Sequence, residues 1–86
     1  MTQLKRVLAV DDEPSMRRLL EISLRQAGYQ PVLAKDGREA LDILRQGGVD
    51  LVVSDLHMPS MNGLQLLGQL RNDGIEVPVI IVTAQG

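Results

Sequence analysis

The sequence predicts an α/β fold in which helices cover both faces of a parallel sheet. Four short runs rich in Val, Leu or Ile have the length of strands, and three helical patterns separate them. Three of the runs lack the polar–apolar alternation of a half-exposed strand, as expected where both faces of a sheet are buried. The resulting order, βαβαβαβ, is that of a doubly wound α/β domain.

The order of the strands in the sheet follows from the handedness of the connections. The predicted strands are Arg6 to Val10, Gln30 to Ala34, Asp50 to Ser54 and Pro78 to Thr83. With right-handed crossovers, the first connection leads to one side of strand one and the second returns past it, so the predicted order is 2-1-3-4. Strands one and three then meet where the winding reverses. Sheets of this class bind ligands there, beyond the carboxyl ends of the strands.

The helical patterns have recognisable start and stop signals. The first begins with Pro14 at its first position and ends before Gly28, which suits a left-handed cap. The second has Asp36 as its predicted N-cap and Glu39 as the acid of a capping box. The third runs from about residue 63 to residue 73.

The first helix is predicted to be amphipathic, with one face on the sheet and the other in solvent. Apolar residues recur along it at three- and four-residue spacing, namely Met16, Leu19, Leu20, Leu24 and Ala27. Its solvated face is predicted to carry Arg17, Arg18 and Arg25.

Composition limits the classes of function. A chain of 86 residues supports one domain with a modest core, and no cysteine is present for a disulfide or a thiolate metal site. The formal net charge of −2, with scattered Lys and Arg, gives no basic surface for nucleic acid. No apolar run has the length of a signal or membrane-spanning segment, so we expect a cytoplasmic protein without membrane association.

Acidic residues follow two strands that the predicted topology makes neighbours. Asp11 and Asp12 come after the first strand, and Asp55 comes after the third. Each close carboxylate pair costs about a few kcal/mol at an effective dielectric of roughly 20, so such a cluster needs a compensating cation. Mg²⁺ suits it, because this ion prefers one or two carboxylates together with waters and a phosphate. By themselves, Asp11 and Asp12 also suit the start of a helix, where acids are common caps.

Phosphoryl chemistry is the predicted use of this site. A carboxylate beside Mg²⁺ can attack phosphorus, because the metal cancels the charge that would repel the donor. Thr83, at the end of the fourth predicted strand, can offer a hydroxyl to a phosphoryl oxygen.

The pattern resembles the receiver domain of two-component response regulators. The resemblance extends from about Leu4 to the last residue, and it implies the flavodoxin-like form of the doubly wound fold. The matching residues are the acidic pair Asp11-Asp12, then Asp55, the turn with Met58-Pro59 and Gly63, and Thr83-Ala84.

The resemblance implies a role for each candidate site residue. Asp55 would accept a phosphoryl group from a sensor histidine kinase. Asp12 would bind Mg²⁺ directly, Asp11 would bind it through water, and His57 would lend its backbone carbonyl. Thr83 would be the hydroxyl that moves toward the phosphoryl group and reports its presence. The chain would then be a signalling domain and not an enzyme.

The sequence departs from the family's pattern after Thr83. A receiver continues through a fourth helix, a fifth strand that ends in a lysine and a fifth helix, whereas this sequence ends at Gly86. We therefore expect residues 1–86 to form an incomplete receiver domain that lacks the last α-β-α elements and in which phosphorylation is impaired. An exposed fourth strand also predicts self-association, through edge strands or by domain swapping.

Two other functions remain open from the residues. A non-signalling interaction or dimerisation module, as a pseudo-receiver or a fragment, would keep the acids without using them. A Mg²⁺-dependent phosphohydrolase of the haloacid dehalogenase type also places an aspartate nucleophile after a strand. That class requires a second aspartate two residues later, where this sequence has His57.

Overall fold

The computed structural model describes residues 5–56, 58 and 61–82, and the strands within these ranges form one parallel sheet in the order β2-β1-β3-β4. The elements are β1 (Arg6–Val10), α1 (Pro14–Gln26), β2 (Gln30–Ala34), α2 (Gly37–Gln46), β3 (Leu51–Asp55), α3 (Gly63–Asn72) and β4 (Val79–Val82). This confirms the predicted α/β fold and strand order. No helix in the described ranges is long and apolar enough to cross a bilayer.

The main core lies between the sheet and the helices α2 and α3. Leu8, Val10 and Val52 from the strands are fully buried, and they join a cluster with Leu66 and Leu70 of α3. Successive residues of a strand point to opposite faces of the sheet. Val7 and Ala9 of β1, which are also buried, therefore point to the other face, where α1 contacts β1 and β2. Burying each large apolar side chain stabilises the fold by about 1.5–3 kcal/mol.

Helix α1 covers the sheet less completely than its sequence pattern predicts. No residue of α1 is buried, and the residues that turn toward the sheet are only half-buried, among them Met16, Leu20 and Leu24. The prediction that Leu19 faces the sheet is wrong, because its side chain is 55% exposed. Helix α1 packs mainly on the two strands β1 and β2, and apolar residues on its outer side, Leu19 and Ile22, stay exposed.

The caps of α2 and α3 show how side chains set the helix ends. The predicted N-cap of α2 is confirmed, since Asp36 Oδ1 accepts the Glu39 N–H at 2.8 Å. The reciprocal bond differs from the prediction, because the Glu39 carboxylate accepts the Lys35 N–H, one residue before the cap. A complete capping box, not predicted, starts α3, where Asn62 and Gln65 each accept the other's backbone N–H.

Strand β3 begins and ends one residue later than predicted. Its predicted first residue, Asp50, uses Oδ2 to accept the Arg6 N–H at 2.8 Å, so a side chain takes the place of a strand carbonyl there. The ladder between β1 and β3 therefore starts with Leu51. At the other end, Asp55 pairs with Val82 of β4, which makes it the last residue of the strand and not the first residue of the loop.

Strand β4 begins one residue later than predicted and forms an edge of the described sheet. It begins at Val79, because Pro78 has no N–H to donate to a ladder, although the Pro78 carbonyl accepts the Val52 N–H at 2.9 Å. Val79 packs against the core, whereas Ile80 and Val82 on the opposite face are 49% and 42% exposed. Its predicted end, Thr83, lies outside the described residues.

Candidate metal centre

The structure brings Asp11, Asp12 and Asp55 together at the carboxyl edge of the sheet. Strands β1 and β3 are parallel neighbours with Val10 opposite Ser54, so the residues that end or follow them meet. One carboxylate oxygen from each of the three acids lies within 4.8 Å of the other two. The cluster therefore depends on the pairing of two strands far apart in sequence.

The three acids differ in burial. Asp11 is only 6% exposed, Asp55 is half-buried and Asp12 is exposed, so the cluster opens to solvent on the Asp12 side. Burial raises the pKa of the Asp11 carboxyl, the hydrogen bond from the Glu13 N–H opposes this, and the negative charges of Asp55 and Asp12 raise the pKa further. The cluster thus concentrates negative charge beside the protein interior.

Within the described part of the chain, Asp11 makes three hydrogen bonds, through its N–H, its carboxylate and its carbonyl. The Asp11 N–H donates to the Ala34 carbonyl of β2 at 3.2 Å, which extends the ladder beyond the strand end. Its Oδ1 accepts the Glu13 N–H at 2.9 Å. Its carbonyl accepts a bond from Arg17 Nη1 of α1 at 2.8 Å. Strand, loop and helix together determine where this carboxylate lies.

Neither Asp11 nor Asp12 caps the following helix. The N-cap of α1 is Glu13, whose Oε1 accepts the Ser15 N–H at 3.0 Å. The alternative that the acidic pair serves as a helix cap is therefore wrong. Because Glu13 occupies the cap, the two aspartates stay at the strand end beside Asp55.

Gly63 allows α3 to start against the end of β3. Its N–H donates to the Leu56 carbonyl at 3.3 Å. A Cβ atom at this position would lie 3.0 Å from the Asp55 carbonyl oxygen, which is closer than nearly all Cβ contacts, and 3.4 Å from the Ile81 side chain, which is an ordinary contact. The glycine therefore permits the close approach of the helix to the backbone of the candidate acceptor.

The donor set fits a hard divalent cation. Carboxylate oxygens are the ligands that Mg²⁺ takes in proteins, and Mg²⁺ sites commonly use one or two of them with water. A cation here would offset the repulsion among the three acids, which lie within 4.8 Å of one another. Two other predicted site residues, His57 and Thr83, lie outside the described residues, so their roles stay predictions.

Arg17 is the residue at this site that the sequence pattern assigned wrongly. It was predicted on the solvated face of α1, but it is half-buried and its guanidinium contacts the Asp11 carbonyl at 2.8 Å. Its spacing contained a signal, because it lies three residues before Leu20 and seven before Leu24, on the face that turns toward the sheet.

Comparisons with known proteins agree on one family. The family model for the response regulator receiver domain matches residues 7–86. The response regulator MprA of Mycolicibacterium vanbaalenii is 44% identical over 80 residues, which cover 93% of this chain and 35% of that protein. The sensor histidine kinase RcsC of Escherichia coli K12 is 46% identical over 78 residues, which cover 91% of this chain and 8% of that protein. The chain thus spans a minor part of these curated relatives.

Solved structures of the same kind share the fold. The response regulator TrrA of Thermotoga maritima, solved in complex with Mg²⁺ and BeF, has a TM-score of 0.89 and 40% identity, and the match covers 96% of this chain and 72% of that one. The chemotaxis protein CheY4 of Vibrio cholerae also has a TM-score of 0.89, with 34% identity over 98% of this chain and 72% of that one.

Proposed function

The chain belongs to the response regulator receiver domain family, and from this membership we propose that it is a phosphoacceptor signalling domain in which Asp55 takes a phosphoryl group from a sensor histidine kinase. The observation that carries the proposal is the convergence of Asp11, Asp12 and Asp55, with carboxylate oxygens within 4.8 Å. That arrangement supports both halves of the chemistry, a cation site and a nucleophile beside it.

The acidic residues divide the work in this proposal. Asp12 would bind Mg²⁺ directly, Asp11 would bind it through water, Asp55 would contribute a carboxylate oxygen and His57 would contribute its backbone carbonyl. A bound Mg²⁺ supplies positive charge that offsets the carboxylates and the incoming phosphoryl group. The exposure of Asp12 supports its place among the ligands, since an ion arriving from solvent can reach its carboxylate.

Phosphoryl transfer in this proposal is an in-line displacement. A carboxylate oxygen of Asp55 forms a bond to phosphorus while the bond from phosphorus to the kinase imidazole nitrogen breaks. The electron pair of that bond stays on the ring nitrogen. With one proton on the ring, the leaving group is the neutral imidazole side chain of the kinase. Asp55 is held by the ladder at Val82, and this fixed position lowers the entropic cost of attack. Thr83 then offers its hydroxyl to a phosphoryl oxygen.

A titration with Mg²⁺ and beryllofluoride, which mimics a phosphoryl group, tests the proposal. We expect amide shifts in the NMR spectrum at the ends of β1 and β3, centred on Asp55, and their loss in Asp55→Asn. The control is Asp42→Asn, since Asp42 is exposed on α2 and should leave the response intact. An unperturbed wild-type spectrum would contradict the proposal and favour a non-signalling module. No described feature favours the phosphohydrolase alternative.

Self-association is a second candidate property, and the exposed face of β4 favours it. Ile80 and Val82 are 49% and 42% exposed on an edge strand of the described sheet, which is a template for pairing with another chain. We expect the sedimentation coefficient to rise with concentration and Ile80→Lys to suppress the rise. The control is Leu64→Lys, because Leu64 is 60% exposed on α3 instead. A monomer at every concentration would contradict this.

Two related sequence-based expectations stay predictions. These are the assignment of residues 1–86 as an incomplete receiver domain and the impairment of phosphorylation in it. The impairment of phosphorylation is measured by comparing the lifetime of the phosphorylated form with that of a response regulator of full length.

A further inference from the structure

We propose that Arg17 is a positioning residue for the acidic cluster, and that its hydrogen bond to the Asp11 carbonyl strengthens the binding of a divalent cation. The inference rests on the proposed function of the cluster as a Mg²⁺ site. It concerns a side chain that does not itself offer a ligand, because a guanidinium carries only donors.

The bond from Arg17 connects helix α1 to the end of strand β1. The other two partners of Asp11 are backbone groups, the Ala34 carbonyl and the Glu13 N–H. Arg17 is the side-chain partner, and it reaches back six residues along the chain to donate at 2.8 Å. Arg17 is half-buried, so its guanidinium has less freedom to leave this carbonyl than that of an exposed arginine. The contact therefore limits rotation of the peptide that follows the buried carboxylate.

The effect of Arg17 is geometric. The causes that shift the pKa of the Asp11 carboxyl are burial, the bond from the Glu13 N–H and the charges of the neighbouring acids, and Arg17 is not among them. Its hydrogen bond goes to the backbone of Asp11 and not to the carboxylate. What Arg17 controls is the position of the Asp11 peptide, and through it the spacing of Asp11 and Asp12 from Asp55.

Loss of this bond should loosen the ligands before the cation binds. Residues that orient metal ligands through hydrogen bonds typically change metal affinity by about 10–100-fold when they are replaced. Since the Arg17 bond acts on the backbone of a ligand residue that has two other anchors, we expect the lower end, about tenfold, for Arg17→Met. Arg17→Lys keeps one donor but not the planar fork, so it should fall between Arg17→Met and the wild type.

Arg18 offers a matched control on the same helix. It is exposed, and its Nη1 pairs with Glu21 Oε1 at 2.8 Å on the solvent side of α1. Arg18→Met makes the same chemical change one residue away, because it also removes one positive charge and shortens the side chain by the same amount. A general effect of charge on the acidic cluster would weaken Mg²⁺ binding in both variants, whereas positioning through the Asp11 carbonyl affects Arg17→Met alone.

The experiment measures the Mg²⁺ dissociation constant of the full chain by calorimetry, below the unfolding temperature of each variant. A rise of about tenfold for Arg17→Met, with Arg18→Met unchanged, supports the proposal. Equal dissociation constants for Arg17→Met and the wild type, or equal rises for Arg17→Met and Arg18→Met, overturn it. If Arg17→Met does not fold, Arg17→Lys decides, and wild-type affinity in that variant overturns the proposal. A wild-type chain that binds no Mg²⁺ refutes the proposed function as well. A wild-type chain that binds Mg²⁺ with the same affinity as Arg17→Met refutes only the positioning role of Arg17.

Discussion

Replacing Asp11 by asparagine should stabilise the chain when no divalent cation is present. The substitution keeps an Oδ1 atom to accept the Glu13 N–H, which Asp11 accepts at 2.9 Å, and it removes one charge from the cluster. The nearly buried Asp11 carboxylate then no longer repels Asp12 and Asp55. A mutation at a proposed metal site is thus expected to raise the free energy of unfolding.

The separation of the acids sets the size of the effect. For two charges 4.8 Å apart, the repulsion is about 3.5 kcal/mol at an effective dielectric of 20 and about 0.9 kcal/mol at that of water. Asp12 is exposed and Asp55 is half-buried, so the appropriate value lies between these limits. We expect the free energy of unfolding to increase by about 1–3 kcal/mol.

The dependence on pH has a definite sign. Burial and the nearby acids raise the pKa of Asp11 in the folded state. Such a group contributes stability that is fully present below its unfolded pKa and is lost as the pH rises through its folded pKa. The wild type therefore loses stability over that range, whereas Asp11→Asn, which resembles the protonated form, does not. The advantage of the variant should be large at neutral pH and vanish in acid.

Urea denaturation followed by circular dichroism measures these differences, first in EDTA and then in saturating Mg²⁺. In Mg²⁺ the wild type should gain stability and Asp11→Asn should gain much less, because binding only to the folded state adds free energy. The control is Asp42→Asn on the exposed side of α2, which should leave the free energy of unfolding unchanged both in EDTA and in Mg²⁺. Destabilisation by Asp11→Asn in EDTA, or an advantage that does not change with pH, would refute the reasoning.

Two predictions concern helix α3 and are checked by thermal or urea unfolding. Gly63→Ala should destabilise the chain by about 1–3 kcal/mol, because its Cβ would lie 3.0 Å from the Asp55 carbonyl oxygen. Gly68→Ala in the same helix meets nothing within 4 Å and should stabilise by about 0.5–1 kcal/mol, so equal effects at the two glycines would contradict the steric explanation. Asn62→Ala removes the cap on the Gln65 N–H and should cost about 1 kcal/mol, and an unchanged midpoint would contradict this.

Much of the fold could be predicted because it depends on local patterns and a general rule of chirality. The apolar runs predicted β1 and β2 with their observed bounds. Right-handed crossovers then predicted that β1 and β3 are neighbours, and this alone brings Asp11 and Asp12 near Asp55. The acidic cluster was accessible from sequence because backbone topology, and not side-chain packing, places these residues together.

The details that the sequence pattern missed are choices between competing partners. The Arg6 N–H can donate to a backbone carbonyl of the neighbouring strand or to the Asp50 side chain, and it donates to Asp50 Oδ2, while the Asp50 N–H donates to the Arg6 carbonyl. Glu39 can bond the cap residue or the residue before it, and it bonds Lys35. Periodicity does not distinguish these alternatives, because each of them offers one hydrogen bond, and a typical hydrogen bond contributes only about 1 kcal/mol.

By itself, the sequence determined the parallel sheet, its strand order and the edge where three aspartates meet, since strand periodicity and crossover handedness are properties of the backbone. The tertiary structure alone decided that Glu13 caps α1, that Leu19 is exposed and that Arg17 contacts the Asp11 carbonyl. The reason is physical: the Glu13 cap is a choice among neighbouring acids for one N–H, whereas the exposure of Leu19 and the contact of Arg17 depend on where α1 lies on β1 and β2. That placement results from packing across the whole sheet, and no local run of residues specifies it.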